Sequence, residues 1–222
     1  MNLIDAILTQ ANVLQAKYAV KQKLTYLIQK QDVVLVALCG ESAAGKTTLL
    51  RALKAQIPEL SVINADNYFC DISDKVKKFG SFTKLVESGY QTESAENFQM
   101  ELLRQDLKKL KEGKVIQTPC YDMKKGASRA KAIICKPAKI VFVESICTLY
   151  PQVRDLFDFK IYLSVDKNVQ WARYQERAAE RGQNPQEIAK QFEIISQAAE
   201  KYIKPYKAYV DLVIERKIPN RN

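Results

Sequence analysis

Residues 33–50 read VVLVALCGESAAGKTTLL, an apolar run that breaks at Gly40 into a glycine-framed turn and resumes after Lys46 as a stretch of helix formers. The run from Val33 to Cys39 is β-branched and apolar, as a strand buried on both faces requires. Gly40, Gly45, Lys46 and Thr47 fit the spacing G-x-x-x-x-G-K-[ST], and the strand before and helix after are the context in which that spacing has a mechanism. Between strand and helix the chain must turn its amide N–H groups toward an anion, which needs backbone free of Cβ at Gly40 and Gly45. The helix start then adds its free N–H groups and positive dipole end at the same place. Gly40, Glu41, Ser42, Ala43, Ala44, Gly45, Lys46, Thr47 and Thr48 are therefore expected to cradle the phosphates of a nucleotide. Lys46 is expected on the β- and γ-phosphates and the Thr47 hydroxyl on Mg²⁺.

Working outward, apolar strand patterns alternate with helical ones: residues 60–64, 139–145, 160–165 and 211–215 read as four further strands. That alternation predicts an α/β domain, a P-loop NTPase fold with a parallel sheet of about five strands flanked by helices. In such sheets ligands bind beyond the carboxyl ends of the strands. Asp66 follows the second strand and Glu144 ends the third, so both carboxylates are expected at that crevice, Glu144 in the metal shell with Thr47.

The flanking segments predict less. Residues 1–31 carry Leu3, Ile7, Leu8, Ala11, Leu14, Tyr18, Leu24 and Ile28 on a rough helical stripe, read as a helical extension packing on a core of residues 32–222. Residues 71–90 are charged and interrupted by Gly80 and Gly89, with no decisive period. Ser94 is expected to cap a helix that carries Phe98, Leu102, Leu103, Leu107 and Leu110 and stops at Gly113. Residues 115–135 alternate at both ends around Lys124, Lys125 and Gly126, the pattern of two extended arms forming a hairpin over the substrate, with Tyr121 and Asp122 before its turn. Residues 167–181 place Arg173, Arg177 and Arg181 on one helix face, a lid whose guanidinium groups suit phosphate. Pro185 opens a last helix ending before Pro205.

The composition excludes several classes of chemistry. With no histidine among 222 residues, Ser-His and Cys-His nucleophile systems are impossible, and any general base is a carboxylate, Lys, Tyr or Cys. Five widely spaced cysteines without a C-x-x-C pair argue against zinc and fit a reducing cytosol, hence a cytoplasmic protein. No apolar run approaches the length of a membrane span. The net charge of +10 lies in short lysine clusters without a recognition helix or an aromatic-basic motif, so nucleic acid is not the expected partner. A homo-oligomer stays open.

These segments, in this order, resemble the uridine kinase branch of the P-loop small-molecule kinases, which also holds phosphoribulokinase-like and pantothenate kinase-like enzymes. The resemblance runs over residues 32–215 and rests on GESAAGKTT, NADNYF, TPCYD, FVES followed by ICTLY, the arginines of WARYQERAAERG, and KYIKPYKAYVDLVI. It implies ATP and Mg²⁺ as cofactors, with Asp66 as general base on a nucleoside 5′-hydroxyl. Lys46, Arg173 and Arg177 would assist the transfer, and Glu144 would join the magnesium shell. For the acceptor it implies Tyr68 beside Asp66, Tyr121 as a wall against the base, Glu93 at the ribose, and Arg129 in the hairpin.

Three residues depart from that pattern. Ala127 stands where the hairpin His is expected, Ser145 replaces the Gly after the glutamate, and Glu93 stands in for an Asp. The expected activity is thus an ATP-dependent kinase acting on uridine, cytidine or a related nucleoside. The alternatives are another acceptor within the superfamily (pantothenate, a sugar, a ribosyl nicotinamide) or, from another class, a nucleotide-dependent switch protein.

Overall fold

A computed structural model describes residues 22–23, 25–56, 60–123, 125–180 and 182–216. Seven strands and six helices of more than one turn are named within them. The strands are β1 (Val34–Cys39), β2 (Ser61–Asn64), β3 (Ile116–Asp122), β4 (Ala127–Cys135), β5 (Ile140–Glu144), β6 (Phe159–Val165) and β7 (Leu212–Arg216). The helices are α1 (Lys46–Gln56), α2 (Ser73–Phe79), α3 (Phe82–Glu87), α4 (Met100–Lys111), α5 (Lys167–Glu180) and α6 (Pro185–Tyr202).

Five strands form a parallel sheet in the order β2-β5-β1-β6-β7, and β3 pairs with β4 as a separate antiparallel hairpin. The chain runs outward from the central β1 in both directions, so the loops at its carboxyl end diverge and leave a crevice there. Register brings Leu38, Glu144 and Asn64 level across β1, β5 and β2. Asp66 follows in a short 3₁₀ turn, Ala65–Tyr68.

β1 is buried along all six residues because both faces of the sheet are covered. Its alternate residues serve different cores: Leu35, Ala37 and Cys39 meet Leu103, Leu107 and Leu110 of α4, whereas Val34, Val36 and Leu38 meet Leu49, Leu50 and Leu53 of α1. A third, smaller cluster holds α5 to α6 through Tyr174, Ala178, Ile188 and Phe192, with Ala43 of the loop between β1 and α1 packed against it.

The expected strands, hairpin and last two helices are present, with shifts of a residue or so at their ends. The segment without a decisive period forms α2 and α3, divided at Gly80 and too short for periodicity to register. Ser94 starts a 3₁₀ turn without a side-chain cap, and the long helix begins at Met100 instead. Phe98 there is extended and stacks on Phe69 at 4.0 Å, a contact that a helical backbone from Ser94 would forfeit. Of the expected N-terminal extension, residues 25–30 are helical and Leu27 is buried in the α1 core; Leu3 to Tyr18 and Leu24 lie outside the described residues.

Gly40 is fixed by close packing. Its φ is +151°, and a Cβ there would come within 2.4 Å of the Leu163 carbonyl oxygen on β6. Gly40→Ala is therefore expected to lose more than about 2 kcal/mol of stability through strain and collision. A denaturant midpoint equal to that of the wild type would contradict this packing.

Candidate active site

The loop between β1 and α1 closes on itself. Lys46 Nζ donates to the carbonyls of Gly40, at 2.8 Å, and Glu41, at 3.2 Å. Gly45 takes φ +98°, and Ala43 takes φ +61° despite its side chain. A non-glycine residue in that region costs roughly 1–2 kcal/mol, the kind of local strain that clusters at ligand-binding turns.

Helix α5 lies on this loop. Arg173 Nη1 donates to the Ala44 carbonyl at 3.1 Å, Arg177 Nη2 to Ser42 Oγ at 2.6 Å, and Gln170 Nε2 to the Ser42 carbonyl at 2.8 Å. The sequence thus places two of the three expected arginines against the loop, while Arg181 lies outside the described residues. Thr48 is exposed on the first turn of α1, and Glu41 points toward Gln170 and Lys204.

At the carboxyl edge of the sheet, Thr47 Oγ1 stands 3.1 Å from both carboxylate oxygens of Glu144. Glu144 is buried, and desolvation holds its carboxyl above the usual range, opposed by the positive charge of Lys46 and the Thr47 hydroxyl. A hydroxyl and a carboxylate are hard oxygen donors, the type Mg²⁺ prefers. Among the described residues no group of three His, Cys, Asp or Glu is arranged to hold a metal. The Thr47 and Glu144 oxygens accordingly fit a Mg²⁺ ion that would be held through few protein ligands.

Asp66 is fixed twice. Its backbone N–H donates to Asn64 Oδ1 at 2.9 Å, and its Oδ1 accepts a 2.6 Å hydrogen bond from Ser145 Oγ. It lines a cavity of about 380 Å³ together with Ser42 and Arg177. Phe69, Tyr90 and Tyr121 give the same cavity an aromatic wall, with the Phe69 and Tyr121 centroids 5.5 Å apart. The hairpin is tied over this wall: Asn67 Oδ1 accepts from the Tyr121 amide at 3.1 Å, and the Gly126 carbonyl accepts from the Ile72 amide at 2.9 Å.

Glu93 also lines the cavity, only 6% exposed, with the Thr92 hydroxyl donating to its carboxylate. Burial pushes its carboxyl up to about 7 from 4.5, against the opposing hydrogen bond from Thr92. The folded protein thus holds a proton that the unfolded chain releases at lower pH, so stability falls as pH rises from about 4.5 to 7 and the loss is complete above that. Glu93→Gln, which stays neutral, is expected to gain on the order of 3 kcal/mol over the wild type at pH 8 and nothing at pH 4. Thermal melts of both proteins at the two pH values check this, and a difference that does not change with pH would contradict it.

Two expected site residues lie elsewhere. Tyr68 is fully buried, and its hydroxyl donates to Asp106 Oδ2 of α4 at 2.8 Å, so it anchors the turn carrying Asp66 and does not face the cavity. Arg129 is exposed on β4 and pairs with Asp122 Oδ2 at 2.7 Å, away from the cavity lining.

Conversely, no sequence signal announces a polar relay among side chains that line the cavity. Tyr174 donates to Gln191 Oε1 at 3.5 Å, Gln191 Nε2 to Thr83 Oγ1 at 2.6 Å, and Thr83 Oγ1 to Glu187 Oε2 at 2.6 Å. These side chains join α3 to α5 and α6, and no motif marks them, because Thr83 and Gln191 are 108 residues apart.

A family model described as the phosphoribulokinase/uridine kinase family matches residues 35–221. The uridine kinase of Borrelia hermsii (strain HS1 / DAH) is 30% identical over 185 residues, spanning 82% of this chain and 86% of that protein. The uridine kinase of Halobacterium salinarum is 30% identical over 183 residues, 81% of this chain and 78% of that one. Among solved structures, the phosphoribulokinase of Rhodobacter spheroides superposes with a TM-score of 0.61 at 13% identity, covering 86% of this chain and 73% of that chain. The D-glycerate 3-kinase of Cryptococcus neoformans var. grubii gives 0.58 at 15% identity, over 88% and 90%. At those identities the structures speak for the fold alone.

Proposed function

Because the chain belongs to the phosphoribulokinase/uridine kinase family, whose members are phosphotransferases acting on a hydroxyl group, we propose that it transfers the γ-phosphoryl group of ATP to the 5′-hydroxyl of uridine, cytidine or a related nucleoside. The observation that carries this reading is the cavity itself, whose lining holds the Asp66 carboxylate, Ser42 of the glycine-framed loop and Arg177 together with the rings of Phe69, Tyr90 and Tyr121. A nucleoside presents a primary hydroxyl that a carboxylate can orient and a planar ring that aromatic side chains can stack on.

The loop amides and Lys46 hold the β- and γ-phosphates, and Arg173 and Arg177 bring positive charge to the group in flight. Thr47 and Glu144 hold Mg²⁺, which when bound neutralises charge on the phosphate oxygens. Asp66 orients the acceptor hydroxyl. As the acceptor oxygen bonds to the γ-phosphorus, the bond from phosphorus to the β,γ-bridging oxygen breaks, ADP leaves, and the hydroxyl proton passes to Asp66. Tyr121 and Phe69 stack on the base, and Glu93 accepts from the ribose hydroxyls. The cytosol, where ATP is abundant and the five free cysteines stay reduced, is the fitting compartment; among the described residues no helix is long and apolar enough to cross a membrane.

Ala127 favours a second reading, the same transfer to a pantothenate, sugar or ribosyl nicotinamide acceptor, because no histidine stands in the hairpin to read a pyrimidine. ATP consumption with Mg²⁺ across uridine, cytidine, purine nucleosides, pantothenate and simple sugars separates the two. Turnover confined to pyrimidine nucleosides is the expected result; turnover on a non-nucleoside alone would move the assignment to the second reading, and none on any acceptor would abandon both.

A further inference from the structure

Ser145 occupies the position after Glu144 where the resemblance leads one to expect glycine, and it carries a hydroxyl that glycine lacks. It is 1% exposed and fixed at the start of a 3₁₀ turn, Ile146–Leu149. Its Oγ accepts a hydrogen bond from the Cys147 amide at 3.2 Å and stands 2.6 Å from Asp66 Oδ1. A hydroxyl has one proton to donate, and a carboxylate only accepts. Since the Cys147 amide supplies its own proton, the Ser145 proton points at Asp66.

We propose that Ser145 is a positioning residue for phosphoryl transfer, holding Asp66 through Oδ1 so that Oδ2 faces the acceptor hydroxyl. The inference rests on the reading of Asp66 as the carboxylate that orients that hydroxyl. The physical reason lies in the length of the lever. An aspartate side chain turns about two torsions, and its backbone is already fixed through the Asn64 cap. One hydrogen bond from a buried, immobile hydroxyl removes the freedom that remains, and orientation of reacting groups is where this class of enzyme gains most of its rate. Glu144, one residue earlier in the same strand end, faces Thr47. The dipeptide Glu144-Ser145 thereby sets both the metal side and the acceptor side of the site from a single strand terminus.

The 3₁₀-turn cap offers a purely structural role for the same hydroxyl, and a double-mutant cycle tells the two apart. Ser145→Ala is expected to lower kcat about 10-fold, the worth of a hydrogen bond to a charged group, with the KM for ATP within twofold of wild type. Ser145→Thr, which keeps the hydroxyl, is expected to retain most of the activity. In an Asp66→Asn background, Ser145→Ala is expected to change kcat by less than twofold, because the residue through which it acts is already disabled. A wild-type kcat for Ser145→Ala, or an equal fold-loss in both backgrounds, would overturn the proposal. Should the alanine variant not fold, Ser145→Cys, of nearly the same volume but a weak donor, carries the same cycle. The two assignments fail separately: near-normal activity of Asp66→Asn removes the Asp66 reading, whereas a crippled Asp66→Asn beside a neutral Ser145→Ala removes only this one.

Discussion

Asp66→Asn is expected to lower kcat by about 10²–10⁴-fold with the preferred acceptor, while the KM for ATP changes little. The substitution keeps the shape of the side chain and can keep the hydrogen bond from Ser145, since an amide oxygen accepts as a carboxylate oxygen does. What it removes is the negative charge and the ability to take the proton. The effect should therefore fall on the chemical step and leave nucleotide binding, which we propose at the glycine-framed loop and α5, in place. Steady-state kinetics with ATP and acceptor varied in turn distinguish these. A kcat within a fewfold of wild type would show that another group receives the proton.

Lys46→Ala is expected to cost at least about 10²–10³-fold in kcat/KM for ATP, the scale for removing one preorganised charge from a phosphate transition state. Lys46 donates here to the carbonyls of Gly40 and Glu41, so its ammonium is held at the mouth of the loop. Its removal also takes away the cation that opposes the raised carboxyl of Glu144, and so weakens the carboxylate we propose as a Mg²⁺ ligand. Titration calorimetry with ATP and Mg²⁺ alongside kinetics checks both consequences. Binding and turnover near wild-type levels would contradict the cradle.

Much of this site is legible along the chain because its parts are local. A strand, a glycine-framed turn and a helix start lie within residues 33–50, and the same run dictates a buried central strand. Asp66 and Glu144 are readable for a related reason, as Asp66 follows and Glu144 ends a short apolar strand whose carboxyl end marks the crevice. Contacts made across distance were not. Ser145 reaches back 79 residues to Asp66, and Thr83 meets Gln191 across 108. Tyr68 shows the limit within a motif: its place beside Asp66 is visible, but the direction of its ring is set by Asp106, which lies 38 residues later on α4. Helices α2 and α3, seven and six residues long, are below the length at which a 3.6-residue period separates from noise.

The most direct test of the account follows the label from [γ-³²P]ATP with uridine, the purified protein and Mg²⁺. Label appearing in the 5′-monophosphate, in amount equal to the ADP formed and only when uridine is present, is the expected result. Label released as inorganic phosphate at the same rate with and without acceptor would contradict it, and would make the protein a nucleotide hydrolase whose cavity serves some other ligand.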